Sequence, residues 1–404
     1  MSKNTNVGDA VKISLKIFPS NDILLSMTQS KLTVVQTLPE LESGGVERGT
    51  LEISRHLLQK GHRSIVVSGG GRLVSELEKS GGEHVTWPVG AKSPRAIPCV
   101  FALRSFLVRE KVDVLHLRSR VPAWIGLTAV KTIPKSKRPA LVTTFHGFYS
   151  VHRFSAVMTK GDKVIAISKT IADHIQKEYG VPGHRLTLIH RGFDEETFDP
   201  DRVSPDRIKA VKRKWGLEED PGPVIILPGR LTRWKGQDVF IKSLARLDPG
   251  LAWRAVCVGD VRENPAWART LEGLIRRHDL SGRVILGGHC ADMPAALMAA
   301  DIVVSASSTQ PEAFGRVAVE AQAMARPIIA TAHGGSLETV KDRETGRLVP
   351  PEDVGEMAGA LSEVLSDRGL REAYGKNGQK RVRRLFTARI MCEKTLEVYH
   401  EVVS

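Results

Sequence analysis

At 404 residues the chain is longer than a single hydrophobic core usually serves, and its 41% hydrophobic and 26% charged residues describe a soluble globular protein of two ordinary domains. No stretch approaches the roughly 20 apolar residues of a membrane span, and the N-terminal "MSKNTNVGDAVKISLKIFPSNDILLSM" is too interrupted by Lys12, Lys16 and Asp22 for a signal sequence. The formal net charge of +14 predicts anionic partners: nucleotide phosphates, an acidic lipid surface or nucleic acid.

Cys99, Cys257, Cys290 and Cys392 form no CxxC or Cys/His cluster, which argues against a zinc site or disulfide scaffold and for reduced thiols in a cytoplasmic protein. Residues 1–30 carry no regular rhythm and are read as an N-terminal extension. From residue 31, short β-branched runs alternate with helix-period segments, the signature of βαβ units around a parallel sheet. "KLTVVQTL" is the first predicted strand. The loop after it, "LPELESGGVER", holds Gly44 and Gly45, where the missing Cβ lets a backbone approach an anion or sugar closely; an ordinary turn is the alternative. The next helix runs from about Val46 to Gln59, with Val46, Ile53, Leu57 and Leu58 at helical spacing, and stops at Gly61. "RSIVV", "HVTWPV", "VDVLHL", "ALVTTF", "KVIAIS" and "RLTLIH" are further strands, and "TTFHG" leaves His146 at a strand tip on the cleft edge; a lone histidine is more often structural than catalytic, and this one gains weight only from its position.

Between Asp194 and Pro223 the pattern lapses into a charged stretch bearing Pro200, Pro205 and Pro221, read as the connection between domains. The rhythm restarts with "PVIILPG", "WRAVCVG", "RVILGG", "DIVVSAS", "RPIIATA" and "GRLVP". Two open α/β domains in succession turn their strand carboxyl ends toward one cleft, the default ligand site. "PVIILPG" runs into "GRLTRWKGQ", which delivers Arg230, Arg233 and Lys235 just before a helix near Gly236. An arginine fork and a mobile lysine charge suit a diphosphate, with a solvated basic turn as the alternative.

"QPEAFGRVAVEAQAM" follows "DIVVSAS". With a helix starting near Phe314, the amides of Ala313, Phe314 and Gly315 become free donors at a positive helix end, and Glu312 sits in the loop before it. Glu320 then lies two turns inside, about 9 Å along the axis. Glu312 is placed to accept from sugar hydroxyls and Glu320 from both hydroxyls of a ribose, cationic neighbours keeping both ionised. The plainer reading makes them a helix-start carboxylate and a surface charge; Val317, Ala318, Val319 and Ala321 weigh against it, since a solvated Glu is less expected on so apolar a helix.

Other signals fail. In "SGGGRLVSEL" the sixth position of a motif opening at Gly69 is Val74, neither Gly nor Ala, so the dinucleotide fingerprint is incomplete, and the chain has neither GxxxxGK[ST] nor HExxH. Asp199 and Asp201 of "FDPDR" fall in the connection, so no metal site is expected.

"ESGGVER", "TTFHG", "GRLTRWKG", "PEAFGRVAVEA" and "AHGGSLETV", in this order and in these βα positions, resemble glycosyltransferase family 4, with the E-x7-E pair as the most specific part. The resemblance runs from about residue 31 to the end. It implies the GT-B fold, with two facing Rossmann-like α/β domains: an acceptor-side domain over 31–200 and a nucleotide-sugar domain over 201–404, the last helix packing back on the first. It implies a retaining enzyme that moves a hexose from a GDP- or UDP-linked sugar to a saccharide or glycolipid acceptor without a metal or cofactor, the nucleotide sugar being a substrate. Arg230 and Lys235 are implied to hold the donor diphosphate, Glu312 the sugar hydroxyls, amides of Ala313, Phe314 and Gly315 the sugar or phosphate, and Glu320 the ribose. Gly44 and Gly45 match the first-domain glycine loop, and His146 a histidine beside the donor sugar.

"LESGGVERGT", "HLRSRVPAW" and "AVMTKGDKVIAIS" look more narrowly like bacterial enzymes of lipopolysaccharide core or envelope saccharides. The chain departs from the family at "IHRGFD", where Asn-Gly-Val-Asp is frequent, and at Ala313, where Gly is frequent, so donor identity is not carried over. Epimerase and phosphorylase activities on the same fold are the rivals. A nucleic-acid-binding protein is a weaker one, given 5% aromatic residues and no binding module. Basic clusters at Lys131, Lys135, Lys137 and Arg138, and at Lys380, Arg381, Arg383 and Arg384, are read either as ordinary solvated surface or as peripheral contact with anionic lipid or a phosphorylated glycolipid.

Overall fold

Every predicted strand forms, and the strands pair into two parallel sheets. The computed structural model describes residues 30–42, 44–93, 96–217 and 222–404, so the N-terminal extension lies outside the described residues except for Ser30. The first half runs β1 (Thr33–Thr37), α1 (Gly45–Gln59), β2 (Arg63–Ser68), α2 (Val74–Lys79), β3 (Glu83–Thr86), α3 (Ile97–Arg109), β4 (Val114–Leu117), α4 (Arg120–Lys131), β5 (Ala140–Phe145), β6 (Lys163–Ala166), α5 (Lys169–Tyr179) and β7 (Leu186–Leu188). Its sheet order is β3-β2-β1-β4-β5-β6-β7. Strands of such a sheet are covered on both faces and therefore read as continuous apolar runs rather than alternating ones; Val34, Val35, Val114 and Leu115 are fully buried.

The second half runs α6 (Pro205–Lys214), β8 (Val224–Pro228), α7 (Gln237–Leu244), β9 (Arg254–Val258), α8 (Pro265–Arg277), β10 (Val284–Gly288), α9 (Met293–Met298), β11 (Ile302–Ser305), α10 (Arg316–Ala323), β12 (Ile328–Thr331), α11 (Ser336–Thr339), β13 (Gly346–Val349), α12 (Val354–Ser366), α13 (Arg368–Leu385) and α14 (Ala388–Val403). Its order is β10-β9-β8-β11-β12-β13. The order reverses between β1 and β4 and between β8 and β11, and an open α/β sheet binds ligands at the carboxyl ends of the strands flanking such a reversal. The stretch read as a bare connection contains α6, which Arg207 anchors by a bidentate pair to Asp292, the N-cap of α9, at 2.7 and 2.8 Å.

The chain finally recrosses to the first half. The Phe193 amide donates to Phe386 O and the Ala388 amide to Phe193 O, beside Gly192, where a side chain would collide with the backbone of Thr387 and Ala388. α14 then buries Met391, Cys392, Leu396 and Tyr399 against Leu32, Val34, Ile53 and Leu57. Each such side chain contributes about 1.5–3 kcal/mol of burial. Tyr399 fixes the depth of α14 through a 2.6 Å hydrogen bond to His116 Nδ1, and His116 Nε2 meets Thr144 Oγ1 at 2.7 Å.

Candidate functional site

In the second half the loops after β8 and β11 are laced together. The β8 loop makes one tight turn over Arg233–Lys235 and ends at Gly236, whose φ of 69° is left-handed. A Cβ there would run into the carbonyl oxygen of Ala306, so only glycine brings the loops this close. The Ser308 amide donates to Trp234 O at 2.7 Å. Lys235 lies along Gly229 with its Nζ 4.3 Å from the Trp234 ring centroid, and it donates to Glu312 Oε1 at 2.5 Å. Ser307 Oγ donates to the same oxygen at 2.7 Å. With side chains 15% and 13% exposed, this lysine–glutamate pair has surrendered most of its hydration, which a surface ion pair does not do and which adds little net stability.

Glu312 is held from below by the loop after β12. The Gly335 amide donates to Glu312 O at 2.7 Å, and side chains at Gly334 or Gly335 would collide with Glu312 and Phe314. The helix start differs from the sequence expectation. α10 begins at Arg316, with Gly315 as its left-handed N-cap at φ 84°, so Phe314 is not helical and Ala313–Gly315 form the approach to the helix. Phe314 is buried against His190 and Phe386, which explains why its apolar spacing mimicked a helix position.

Glu320 therefore lies one turn inside α10, not two, and it is largely buried beside Arg316 rather than a solvated surface charge. Burial pushes its carboxyl up from the usual range, against the opposing effect of Arg316, whose Nη2 is 3.0 Å from Glu320 Oε1. Arg230 is exposed at the end of β8, and no partner for its guanidinium occurs among the described residues. Arg233 leans 5.6 Å over the Trp267 ring, away from Lys235 and Glu312.

The first half contributes the start of α1 and the tips of β4 and β5. Gly44 is the N-cap of α1 with φ 137°, and Gly45 is its first residue. Arg191 Nη1 donates to the Gly45 carbonyl, and a Cβ on Gly45 would sit 3.1 Å from Arg191 Nη1 and 3.3 Å from Nη1 of Arg316, which reaches across from the second half. One turn on, a Cβ at Gly49 would meet Arg118 Nη2 at 3.1 Å. Three guanidiniums thus crowd the first turns of α1, with Glu52 as the carboxylate among them; burial raises its pKa while Arg316 and Arg191 oppose that shift. His146 Nδ1 lies 2.7 Å from Arg191 Nη2, and its Nε2 is buried without a partner among the described residues.

The halves are also clasped directly. Glu338 of α11 accepts from the amides of Lys169 and Thr170, the first residues of α5, at 2.8 and 3.1 Å, and meets His190 Nε2 at 2.8 Å. Burial alone would raise the Glu338 carboxyl, but these bonds more than offset it and hold it below its ordinary value.

The sequence reading brought out Lys235, Glu312, His146 and the glycine pair but missed Ser307, Arg118, Arg191, Arg316 and Glu338. Arg191 had a signal, since it sits in the "IHRGFD" departure, Arg316 lies within the E-x7-E stretch, and Arg118 falls in "HLRSRVPAW", where nothing sets it apart from Arg120. Of the second basic cluster, Arg381 donates to Glu338 O and Arg383 to Asp199, so both are engaged within the protein. In the first cluster, Arg138 is spent on the carbonyls of Lys131 and Ile133, whereas Lys131, Lys135 and Lys137 are exposed.

Two family models match the chain: glycosyl transferases group 1 over residues 208–381, and glycosyltransferase family 4 over residues 43–197. A D-inositol 3-phosphate glycosyltransferase of Salinispora arenicola is 32% identical over 258 residues, 61% of this chain but only 56% of that protein, so the match spans about half of the relative. A crystal structure of a glycosyltransferase from Rickettsia africae is 32% identical with a TM-score of 0.85, covering 93% of this chain and 99% of that one. Anabaena HepE, solved with UDP and with UDP-glucose, shares the fold at 24% identity; in the UDP complex the TM-score is 0.76 and coverage is 91% of this chain and 99% of HepE.

Proposed function

Because the chain belongs to the group 1, family 4 glycosyltransferases, we propose that it transfers a hexose from a nucleotide sugar to a saccharide or glycolipid acceptor, with retention and without a metal. One observation carries this reading: the desolvated Lys235–Glu312 pair where the loops after β8 and β11 meet, beside the amino end of α10. The UDP-glucose bound by Anabaena HepE supports a nucleotide-sugar donor.

In the reaction the bond between the anomeric carbon and the β-phosphate oxygen breaks as the acceptor oxygen bonds to that carbon. The acceptor's proton passes to the departing phosphate. Negative charge grows on that phosphate, and Lys235, Arg230 and the free amides at the α10 end are the fixed positive groups suited to it. Glu312 accepts from sugar hydroxyls while sharing Lys235 with the phosphate. Glu320, one turn along α10, takes the ribose. Gly44 and Gly45 admit the diphosphate or acceptor close to the α1 backbone, whose amino end is also positive.

The same reading places the enzyme at the cytoplasmic face of an anionic membrane, in lipopolysaccharide or envelope glycan synthesis. The surplus charge supports it: from Lys92 to Lys163 there are fourteen Lys and Arg against three Asp and Glu, which is eleven of the chain's fourteen net positive charges. Six of the eight most exposed large hydrophobic residues among those described (Ile97, Phe101, Trp124, Phe148, Val151 and Phe154) fall in the same segment. Among the described residues no helix is long and apolar enough to cross a membrane.

The test is a labelled-donor assay following a thermal-shift panel of GDP, UDP, ADP and their sugars. A ligand bound only by the native state raises Tm. We expect one nucleotide series to do so, and transfer of label to acceptor to persist in EDTA with the anomeric configuration kept. Isomerised donor or free sugar phosphate as the sole product would replace this reading with an epimerase or a phosphorylase.

A further inference from the structure

We propose that Arg191 is a positioning residue that locks His146 in the Nε2–H tautomer, making this imidazole a hydrogen-bond donor and not a proton acceptor. A guanidinium has five N–H donors and no acceptor. Its Nη2 lies 2.7 Å from His146 Nδ1, so Nδ1 must offer a lone pair, and the ring's single proton falls on Nε2. Arg191 cannot turn away: the residue is 7% exposed, and its Nη1 is committed to the carbonyl of Gly45 at the start of α1. Burial pulls its pKa down to about 9, still above neutrality, so it stays a charged donor under ordinary conditions.

The other groups around His146 agree. Arg118 and His116 also face it, the latter with both ring nitrogens engaged by Tyr399 and Thr144, and Tyr149 Oη lies 3.5 Å from the His146 backbone amide. Among the described residues no carboxylate hydrogen-bonds the ring. Burial first, then Arg191, Arg118 and His116, hold its pKa well below the ordinary histidine value. The sign is fixed: a histidine lowered in the fold stays neutral as pH falls through about 6.5, where an unconstrained one takes up a proton.

The role in catalysis rests on the reading that His146 faces the donor sugar: Nε2–H then gives a bond to a sugar oxygen, and no base is available there to activate the acceptor. The tautomer itself does not depend on that reading, and a substrate-free measurement tests it. In a [15N]histidine-labelled protein, with the His146 signal identified by its loss in His146→Asn, the wild type is expected to show a single Nε2–H neutral ring from pH 8 to pH 5. Arg191→Met is expected to average the two tautomers and to protonate at higher pH, and Arg191→Lys, again a donor only, to restore the single form. A wild-type ring protonated on Nδ1, or charged at neutral pH, overturns the proposal, as does a folded Met variant with the wild-type tautomer and titration. Should that variant not fold, the wild-type spectrum alone decides. Glycosyl transfer failing while the tautomer holds would remove only the catalytic consequence.

Discussion

In the proposed reaction Lys235 is the residue on which the chemistry turns. It is the cation held by the tight turn after β8, desolvated, and paired with a carboxylate to which the proposed function gives its own part in substrate recognition. Removing it subtracts a preorganised positive group from the leaving phosphate, so Lys235→Ala is expected to lower kcat at least about 100-fold, as loss of an oxyanion donor does. Turnover within a few-fold of wild type in a single-turnover assay would contradict this role. Glu312 and Lys235 were legible in the sequence because each follows a strand in a motif whose residue types suit a sugar and a phosphate. Arg118, Arg191 and Arg316 were not. They come from the loops after β4 and β7 and from the first residue of α10 and meet only through the fold, and an arginine that folding buries looks like any other in a chain with 59 Lys and Arg.

The elements were easier to read than the caps that end them. All thirteen strands and the α1 span were recoverable from β-branched runs and helical spacing, because the central strands are covered on both faces and so read as apolar runs. The start of α10 was misplaced by two residues since Phe314 is buried by tertiary contacts and the true cap, Gly315, is left-handed, a conformation the sequence does not announce. Glycine conformation is also where the β8 turn is vulnerable. Gly236→Ala adds a Cβ at φ 69° against the Ala306 carbonyl, so about 2 kcal/mol of stability should be lost. Denaturant unfolding reads that cost, and kcat should fall along with it as Lys235 shifts. A variant destabilised yet fully active would show that the turn supports the fold without aiming the lysine.

At the scale of the whole molecule, most of the net positive charge, and most of the exposed large apolar side chains among the described residues, fall in the one segment from Lys92 to Lys163. If that segment meets lipid, sedimentation with vesicles containing phosphatidylglycerol should exceed that with neutral vesicles and weaken as salt screens the attraction. Replacing Lys131, Lys135 and Lys137 by Gln is expected to reduce it, since each cation near such a surface contributes about 1 kcal/mol. Binding unaffected by salt and by the triple substitution would leave the segment as ordinary solvated surface. None of the sequence patterns foretold that the two halves would be clasped, because Glu338 and its partners in α5 and β7's trailing loop are about 150 or more positions apart in the chain.

That clasp makes the two halves mutually aware. The loop from Gly334 to Glu338 touches Glu312 and Phe314 at one end and caps the amino end of α5 at the other. Parting the halves strands a carboxylate and two amides together, so the contact is made or lost as a unit. By linkage, a nucleotide that favours the docked arrangement must be bound more tightly by it in the same proportion, so a helix cap of this kind would carry to one domain only that part of the ligand's affinity which depends on docking.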